Sequence, residues 1–295
     1  MVVDRALQRR LAQRVDELPV LPTVVGRLMT LDREDDAFFD ELQDLIESDP
    51  TFAARILSAA NSAASAPRNP ITSVRAALAR LGAAGASNMI LAAAVSRVFV
   101  PRDDWERSLW RHALQVAAAT RIVAIRAGPA LGLQPDEAYT VGLLHDVGRF
   151  VLFSEAPDQL RRIDEGDWDD PGALLELEQS ICGMTHGEIG QMACERWGLP
   201  PLVGEVVLRH HQERVDPTRG SAEALIATIH FVDLAMFPSA LPGTPGYDQA
   251  PLEVIESDLM PKMPSGVRMT AGALHELIIS VTAETDVLCR SLGLS

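Results

Sequence analysis

The stretch GLLHDVGRFVL, residues 142–152, places a histidine and an aspartate side by side inside an apolar run. Burying an imidazole and a carboxylate is costly unless both groups find polar partners. We therefore predict that His145 and Asp146 face a shared polar pocket, with partners from other parts of the chain. Gly148, two residues on, favours a local irregularity in the helix at this point.

The composition is typical of a helical globular protein. Of the 295 residues, 47% are apolar and only 5% are aromatic, and alanine and leucine dominate many windows. Such sequences favour helices that pack closely through small side chains. We predict an all-α fold, a multi-helix bundle long enough to bury a sizeable core.

Charge and cysteine content exclude several classes of protein. The formal net charge is −15, which disfavours general nucleic-acid binding and association with an anionic membrane. Cys182, Cys194 and Cys289 form no C-x-x-C pair, so we expect buried thiols rather than disulfides or a zinc knuckle. With no signal peptide and no apolar stretch of membrane-spanning length, we predict a cytoplasmic protein.

Helix-start signals punctuate the chain. Asp49-Pro50 combines an N-cap with proline at the first helical position, and another helix is predicted to start near Ser73. Thr185 and Glu188 have capping-box spacing, which places His186 in the first turn of a helix. Longer apolar patterns predict further helices at residues 105–128, 136–153, 172–183, 202–212, 224–237 and about 270–292, with an irregular connection at 238–266.

Five of the seven histidines fall in an ordered series with two aspartates. Each lies on or at the start of a predicted helix: His112, His145, Asp146, His186, His210, His211 and Asp233. Helical bundles build metal sites from inward-pointing side chains of different helices, and this donor set suits iron, manganese, zinc, cobalt and nickel alike. The series therefore predicts a site for one or two divalent ions. Asp146 has two oxygens and is a natural bridge between two ions.

Each of these residues also has an ordinary structural interpretation. A histidine such as His112 on an apolar helix is usually a core or surface residue, Asp233 could bond a helix end, and His210-His211 could lie on a solvated face. The joint pattern is what favours a site, because these groups could partner one another. His230, three residues before Asp233, is expected to pack against the site or to support a ligand from behind.

The series H…HD…H…HH…D resembles the HD superfamily of metal-dependent phosphohydrolases, in particular its dinuclear branch. Six segments further resemble the HDOD family of bacterial signalling output proteins: LPVLPTVVGRLMTL (18–31), LIESDPTFAARILSAANSA (45–63), ITSVRAALARLG (71–82), LWRHALQVAAA (109–119), GLLHDVGRFVL (142–152) and THGEIGQMACERWGLPPLVGEVVLRHH (185–211). The resemblance spans residues 12–235. It implies a stand-alone, all-helical, cytoplasmic regulatory module.

The resemblance also implies a domain division and a ligand set. An N-terminal helical subdomain (1–103) would pack on an HD-like metal-site subdomain (104–237), and an irregular connection plus C-terminal helix (238–295) would pack on the core. The superfamily pattern assigns His112, His145, Asp146 and Asp233 to a first ion. It assigns His186, His210 and His211, with Asp146 as bridge, to a second ion. The implied chemistry is attack of metal-activated water on a phosphate ester.

Two departures weaken the catalytic interpretation. The lysine that follows the H-D-x-G element in active dinuclear enzymes is Arg149 here, which could still contact phosphate with a different reach. The G-Y-P loop after the paired histidines is replaced by QERVDP. We assign no catalytic residue; if the chain is an enzyme, Asp146 and Arg149 are the candidates.

Three functions follow from the sequence. The leading hypothesis is a regulatory output domain that acts on signalling proteins through protein contacts and has an HD-type site able to hold metal. The alternative is a metal-dependent phosphohydrolase or phosphodiesterase acting on a nucleotide or cyclic dinucleotide. A third is a sensor that binds a nucleotide without cleaving it. Arg149 could contribute to such a pocket, whereas Arg161 and Arg162 are expected on a solvated face.

Overall fold

The described residues form helices joined by turns and irregular connections, and they contain no strand. The computed structural model describes residues 5–19, 28, 37–62, 70–166, 168, 170–213, 215–240 and 245–294. The predicted all-α fold is confirmed. Most of the LPVLPTVVGRLMTL segment lies outside the described residues.

The helices follow one another with short connections. In chain order they are α1 (Arg5–Asp16), α2 (Phe38–Glu47), α3 (Pro50–Ala60), α4 (Val74–Leu81), α5 (Ala83–Val98), α6 (Asp104–Leu131), α7 (Pro135–Leu144), α8 (Val147–Glu155), α9 (Pro157–Asp164), α10 (Pro171–Cys182), α11 (His186–Arg196), α12 (Pro201–Arg209), α13 (Ser221–Ala240), α14 (Leu252–Val254) and α15 (Ala271–Leu292). The predicted helices are therefore present with boundaries shifted by a few residues, except that the one predicted at 136–153 is divided into α7 and α8.

Predicted caps set several of these helix starts. The Asp49 carboxylate accepts a hydrogen bond from the Thr51 backbone N–H at the start of α3, and the Ser73 hydroxyl accepts one from Ala76 N at α4. Thr185 and Glu188 form a complete capping box. These side chains satisfy backbone N–H groups that have no partner within the helix.

Contacts within the chain define two compact units. The first comprises residues 1–18 and 101–285, and the second comprises residues 19–100 and 286–295. Residues 1–18 thus group with the HD-like part of the chain, whereas the sequence had assigned them to the N-terminal subdomain. The three-part division at 1–103, 104–237 and 238–295 stays a prediction.

In the first unit, six helices surround the predicted ligand residues. Helix α6 packs against α7 and α13, α8 packs against α11, and α12 packs against α7, α11 and α13. Buried residues of α6 and α7 include Trp110, Leu114, Val141 and Leu144. Five helices meet at one place: one end each of α7, α11 and α12, and the middle of α6 and α13. Side chains that are distant in sequence can therefore share one space.

The predicted helix at 136–153 is interrupted at the histidine-aspartate pair. Helix α7 ends at Leu144, His145 follows as its C-cap, and Asp146 precedes α8 with φ −101° and ψ 18°. Successive residues of a regular helix point about 100° apart, so the break lets both side chains face the same space.

Helix α13 is a core helix. Its stretch Ser221–Pro238 is long and apolar enough to cross a membrane, with a mean hydropathy of 1.2, but 56% of that stretch is buried within the protein. Among the described residues, α4 and α5 also meet this criterion if counted together, yet they diverge by 107°. The apolar character of α13 reflects burial on most of its circumference. The cytoplasmic location stays a prediction.

The predicted irregular connection at 238–266 is partly helical. Helix α13 runs through Pro238 to Ala240, and α14 is followed by a π-helical turn (Ile255–Leu259) and a 3₁₀ turn (Met260–Lys262). Burial of Ile255 and Leu259 anchors this segment. The three cysteines are free and buried, as predicted.

We expect Asp49 to stabilise the second unit through two separable interactions. Its carboxylate caps α3 and pairs with Arg97, with Oδ2–Nη1 and Oδ1–Nη2 distances of 2.8 and 3.2 Å. Asp49→Ala should lower the free energy of unfolding by about 1–2 kcal/mol. Asp49→Asn keeps a capping oxygen and should cost about 0.5 kcal/mol, because it loses only the ion pair. Urea unfolding followed by circular dichroism measures both.

The effect of Asp49→Asn should depend on pH in one direction. Arg97 and Thr51 outweigh burial and lower the pKa of Asp49 from 3.8 to about 2. The stabilisation is therefore complete above about pH 5 and is lost as the pH falls from about 4 towards 2, where the folded state takes up the proton. A wild-type-minus-variant difference that stays constant over this range would contradict the assignment.

Candidate metal centre

All seven predicted ligand residues meet in one buried cluster in the first unit. Their ligand atoms form two groups, each with atoms within 4.8 Å of one another. One group is His112, His145 and Asp233, and the other is Asp146, His186, His210 and His211. The cluster thus contains two adjacent sets of nitrogen and oxygen donors that could each hold a metal ion. The metal roles of the individual residues stay a prediction.

Asp146 lies between the two groups. Its Oδ1 is 3.3 Å from His186 Nε2 and 3.7 Å from His210 Nε2. Its Oδ2 is 3.6 Å from His145 Nε2 and 4.0 Å from His112 Nε2. Each carboxylate oxygen faces a different group, which is the arrangement a bridging ligand requires.

Asp233 occupies the other side of the first group. Its Oδ1 lies 2.9 Å from His112 Nε2 and 3.9 Å from His145 Nε2, and its Oδ2 lies 3.7 Å from His211 Nδ1. Helix α13 therefore contributes a second carboxylate that contacts members of both groups. The carboxylate of Asp233 thus contacts histidine rings, and its alternative interpretation as a hydrogen-bond partner of a helix end does not describe these contacts.

Three of the histidines are fixed from behind in one tautomer. The Nδ1 atoms of His145 and His210 donate to the carbonyl oxygens of Gly142 and Val207, at 2.8 and 2.7 Å. His186 Nδ1 lies 2.7 Å from Glu178 Oε2. Because these partners accept only, each Nδ1 carries a proton, and each Nε2 faces the cluster, where it can offer a lone pair to a cation.

His145 and His211 carry ring nitrogens that are suited to a metal ion. Burial lowers the pKa of His145 to about 4 despite the nearby Asp146 and Asp233, so its ring is neutral at pH 7. His145 Nε2 and His211 Nδ1 are buried and have no hydrogen-bond partner among the described residues. Unprotonated imidazole nitrogens beside carboxylate oxygens are the donor set of a transition-metal ion. The residues present therefore fit a divalent metal.

Glu178 is a supporting residue that the sequence reasoning missed. It is fully buried on α10, where it accepts from both the ring Nδ1 and the backbone N–H of His186. Burial alone would lower the pKa of His186, but Glu178 and Asp146 raise it. Such a carboxylate behind a histidine orients the ring and makes it a stronger ligand. The sequence did contain a signal for the burial of Glu178. The residues four positions before and after it on α10 are apolar and buried, namely Leu174 and Cys182.

His230 also supports the cluster from behind. Its Nδ1 lies 3.2 Å from the carbonyl oxygen of His210, in the turn that follows α12. This contact holds the backbone of the paired histidines and is consistent with the supporting role considered for it. His210 is fully buried and His211 nearly so, which excludes the solvated-face interpretation.

Gly148 is required for close packing rather than for an irregular backbone angle. A Cβ at this position would lie 1.9 Å from the carbonyl oxygen of His186 and 2.9 Å from Gly190 N. Gly148 is not one of the described glycines that have a positive φ. Its missing side chain lets the starts of α8 and α11 touch, and this contact brings Asp146 within reach of His186.

Arg149 is buried among carboxylates. Its Nη2 is 2.5 Å from Asp164 Oδ1, its Nε is 3.8 Å from Asp146 Oδ2, and its Nη1 is 3.9 Å from Glu178 Oε1. Burial opposes its charge, but these three acids keep its pKa above the ordinary value. Arg149 thus balances the charge of the cluster, and its predicted contact with phosphate stays a prediction.

A cavity of about 660 Å³ opens onto the cluster. The ligand residues His112, Asp146, His211 and Asp233 form part of its lining, together with Arg149 and Arg161. Arg161 is bonded to Asp103 and lies over the Trp105 ring; its side chain is 41% exposed, so it borders the cavity and also faces solvent, as expected. A small ligand could therefore reach the candidate metal ligands directly.

A helical fold in which histidines and aspartates from several helices converge on one cluster defines an all-α protein with an HD-type centre. The family model of the HDOD domain matches residues 18–213. The chain belongs to the HDOD domain family. It is related in fold to HD phosphohydrolases.

Similar proteins agree with this assignment. A crystal structure of an HDOD domain protein of unknown function from Geobacter sulfurreducens is 26% identical, with a TM-score of 0.73 over 96% of this chain and 97% of that chain. A protein from Shewanella amazonensis SB2B, proposed to be a phosphohydrolase, has a TM-score of 0.72 at 23% identity, covering 96% and 98%. An uncharacterized protein of Treponema pallidum (strain Nichols) is 27% identical over 253 residues, 84% of this chain but 47% of that protein. The chain spans about half the length of this curated relative.

We expect Glu178→Gln to weaken metal binding at the His186 group selectively. The Glu178 carboxylate accepts hydrogen bonds from two donors of His186 and carries a negative charge. The glutamine amide has a single acceptor oxygen and is neutral. Affinity at this group should fall by about 10- to 100-fold, while the His112 group changes little. Chelator competition with Co²⁺, followed through its visible absorption, resolves the two groups.

The matched control for Glu178 is Glu176→Gln, an exposed position on the same helix. It should leave both affinities unchanged. An equal loss at both groups, with thermal unfolding unaltered, would contradict a local role for Glu178.

Proposed function

We propose that this chain is a regulatory output domain of bacterial signal transduction, in which an HD-type centre binds one or two divalent ions. It acts on signalling proteins in the cytoplasm through protein contacts. The observation that carries the metal proposal is the convergence of five histidines and two aspartates in two adjacent buried ligand groups. Membership of the HDOD family supports the signalling role.

The chain's own residues account for ion binding in this proposal. His112, His145 and Asp233 would hold one ion, and His186, His210 and His211 would hold the other, with Asp146 shared. Gly142, Val207 and Glu178 fix the ring tautomers in advance, so little rearrangement is needed on binding. When bound, divalent ions would supply Lewis acidity and an activated water at neutral pH.

A metal-dependent phosphohydrolase is the second candidate function. The cavity favours it, because His112, Asp146, His211 and Asp233 line a space large enough for a small organic ligand. Against it stands the engagement of Arg149 with Asp164, which occupies the guanidinium that could otherwise contact a phosphoryl group. We rank the regulatory function first for this reason.

Elemental analysis tests the metal proposal. After incubation with Mn²⁺ or Zn²⁺ and removal of free ion, the wild-type chain should retain up to about two ions. Asp146→Asn should weaken both sites because it removes charge from the shared ligand, whereas His112→Ala and His186→Ala should each remove one. His275→Gln lies outside both groups and should retain the wild-type content. Metal-free wild-type protein under these conditions would overturn the proposal.

An activity panel separates the two candidate functions. For the regulatory function, metal-loaded protein should show no hydrolysis of phosphate monoesters, diesters or cyclic dinucleotides above that of the His145→Ala variant. If the chain is a phosphohydrolase, wild-type turnover should exceed that of the variant by about 100-fold or more, because the first group loses a ligand. That second result would overturn the non-catalytic assignment.

A further inference from the structure

The cavity outside the metal ligands has an aromatic wall. Phe237 lies 5.8 Å from His112 and 6.0 Å from Trp168, measured between ring centroids, and Trp105 also lines the space. The aromatic side chains therefore extend continuously from a candidate metal ligand outward. Leu109, Leu174 and Leu234 complete an apolar lining.

Both tryptophans of this wall have their polar atoms engaged by protein. Trp105 Nε1 donates to Asp164 Oδ2 at 3.1 Å, and Trp168 Nε1 donates to the carbonyl oxygen of Ile163 at 2.8 Å. These bonds fix the rings and remove their only hydrogen-bond donors. What the wall can offer a ligand is ring contact, which favours a flat aromatic group.

The charge of the cavity excludes an anion until cations are bound. Both guanidiniums in the lining are already paired, Arg149 with Asp164 and Arg161 with Asp103. Five carboxylates against two guanidiniums leave an excess of three negative charges among these groups; the five are Asp146, Asp164, Glu165, Asp170 and Asp233. Two divalent cations would reverse this sign and attract an anion to the floor of the cavity.

We propose that the cavity binds ligands in order: divalent cations first, and then a phosphate monoester that carries a flat aromatic ring. The phosphate lies at the ions beside His112 and Asp233, and the ring lies along Phe237 and Trp168. The volume of about 660 Å³ is within the usual range for such ligands. This inference rests on the proposed metal site and adds the class of ligand and the order of binding.

Phosphonates test this proposal without interference from hydrolysis, because their carbon–phosphorus bond is not cleaved by phosphoester chemistry. Isothermal titration calorimetry compares phenylphosphonate with methylphosphonate on Mn²⁺-loaded and metal-stripped protein. Loaded protein should bind phenylphosphonate at least about fivefold more tightly. Stripped protein should bind neither compound.

Variants of the wall connect this preference to its residues. Trp168→Leu should bring the ratio of the two affinities close to one while leaving methylphosphonate binding unchanged. Phe237→Leu should act in the same direction and serves as a second variant if the first folds poorly. Trp197→Leu lies outside the cavity lining and should keep the wild-type ratio.

The outcomes distinguish this inference from the proposal on which it rests. If elemental analysis finds no metal in the loaded sample, both are overturned. If metal is present but the two phosphonates bind equally, only the aromatic subsite is overturned. Equal binding to stripped and loaded protein would overturn the order of binding.

Discussion

The buried carboxylate of Asp146 is the constraint on which the first unit depends. It lies within 4.0 Å of Nε2 atoms from four histidines that four different helices or helix ends supply. The hydrogen bonds to Gly142, Val207 and Glu178 hold three of these rings with their Nε2 atoms towards this carboxylate. Arg149 approaches one oxygen at 3.8 Å but is shared with two other acids. A divalent cation at this carboxylate would meet ring nitrogens that the protein already holds in place.

Close backbone packing is what makes this convergence possible. The space left by the missing Gly148 side chain is filled by the carbonyl group of His186, and Gly187 similarly admits Leu208 O, 2.9 Å from where a Cβ would lie. Helices α8, α11 and α12 thus touch through their backbones at the level of the cluster. A wider separation would leave Asp146 and His210 too far apart to share an ion.

The sequence predicted the helices well, and the histidines and aspartates that it grouped do lie together, for identifiable reasons. Caps such as Asp49, Ser73 and Thr185 are local features, and local hydrogen bonds determine where a helix begins. The ordered series of histidines and aspartates was informative because buried ionisable groups need one another. The interruption between His145 and Asp146 was considered but not predicted, since the apolar pattern continues across it.

Other features depend on contacts that periodicity does not reveal. Glu178 was not singled out from the sequence, although its neighbours at helical spacing, Leu174 and Cys182, are buried. Arg161 pairs with Asp103, which is 58 positions away in the sequence. Residues 1–18 belong to the first unit, whose other residues begin at 101, so this grouping also depends on distant contacts. Neither could be read from a single stretch of sequence.

The electrostatic organisation of the cavity also bears on why Arg149 replaces the lysine of active relatives in the resembled pattern. A guanidinium forms several directed bonds at once, so Arg149 can contact Asp164 while remaining near Asp146 and Glu178. An ammonium group, with a single charged nitrogen, would not span these three acids. Arg149 therefore connects α8 with the end of α9 and with the buried face of α10. Its guanidinium, which could otherwise contact a phosphoryl group, is engaged by groups of the protein. This pairing supports the proposed regulatory function over the alternative of a phosphohydrolase.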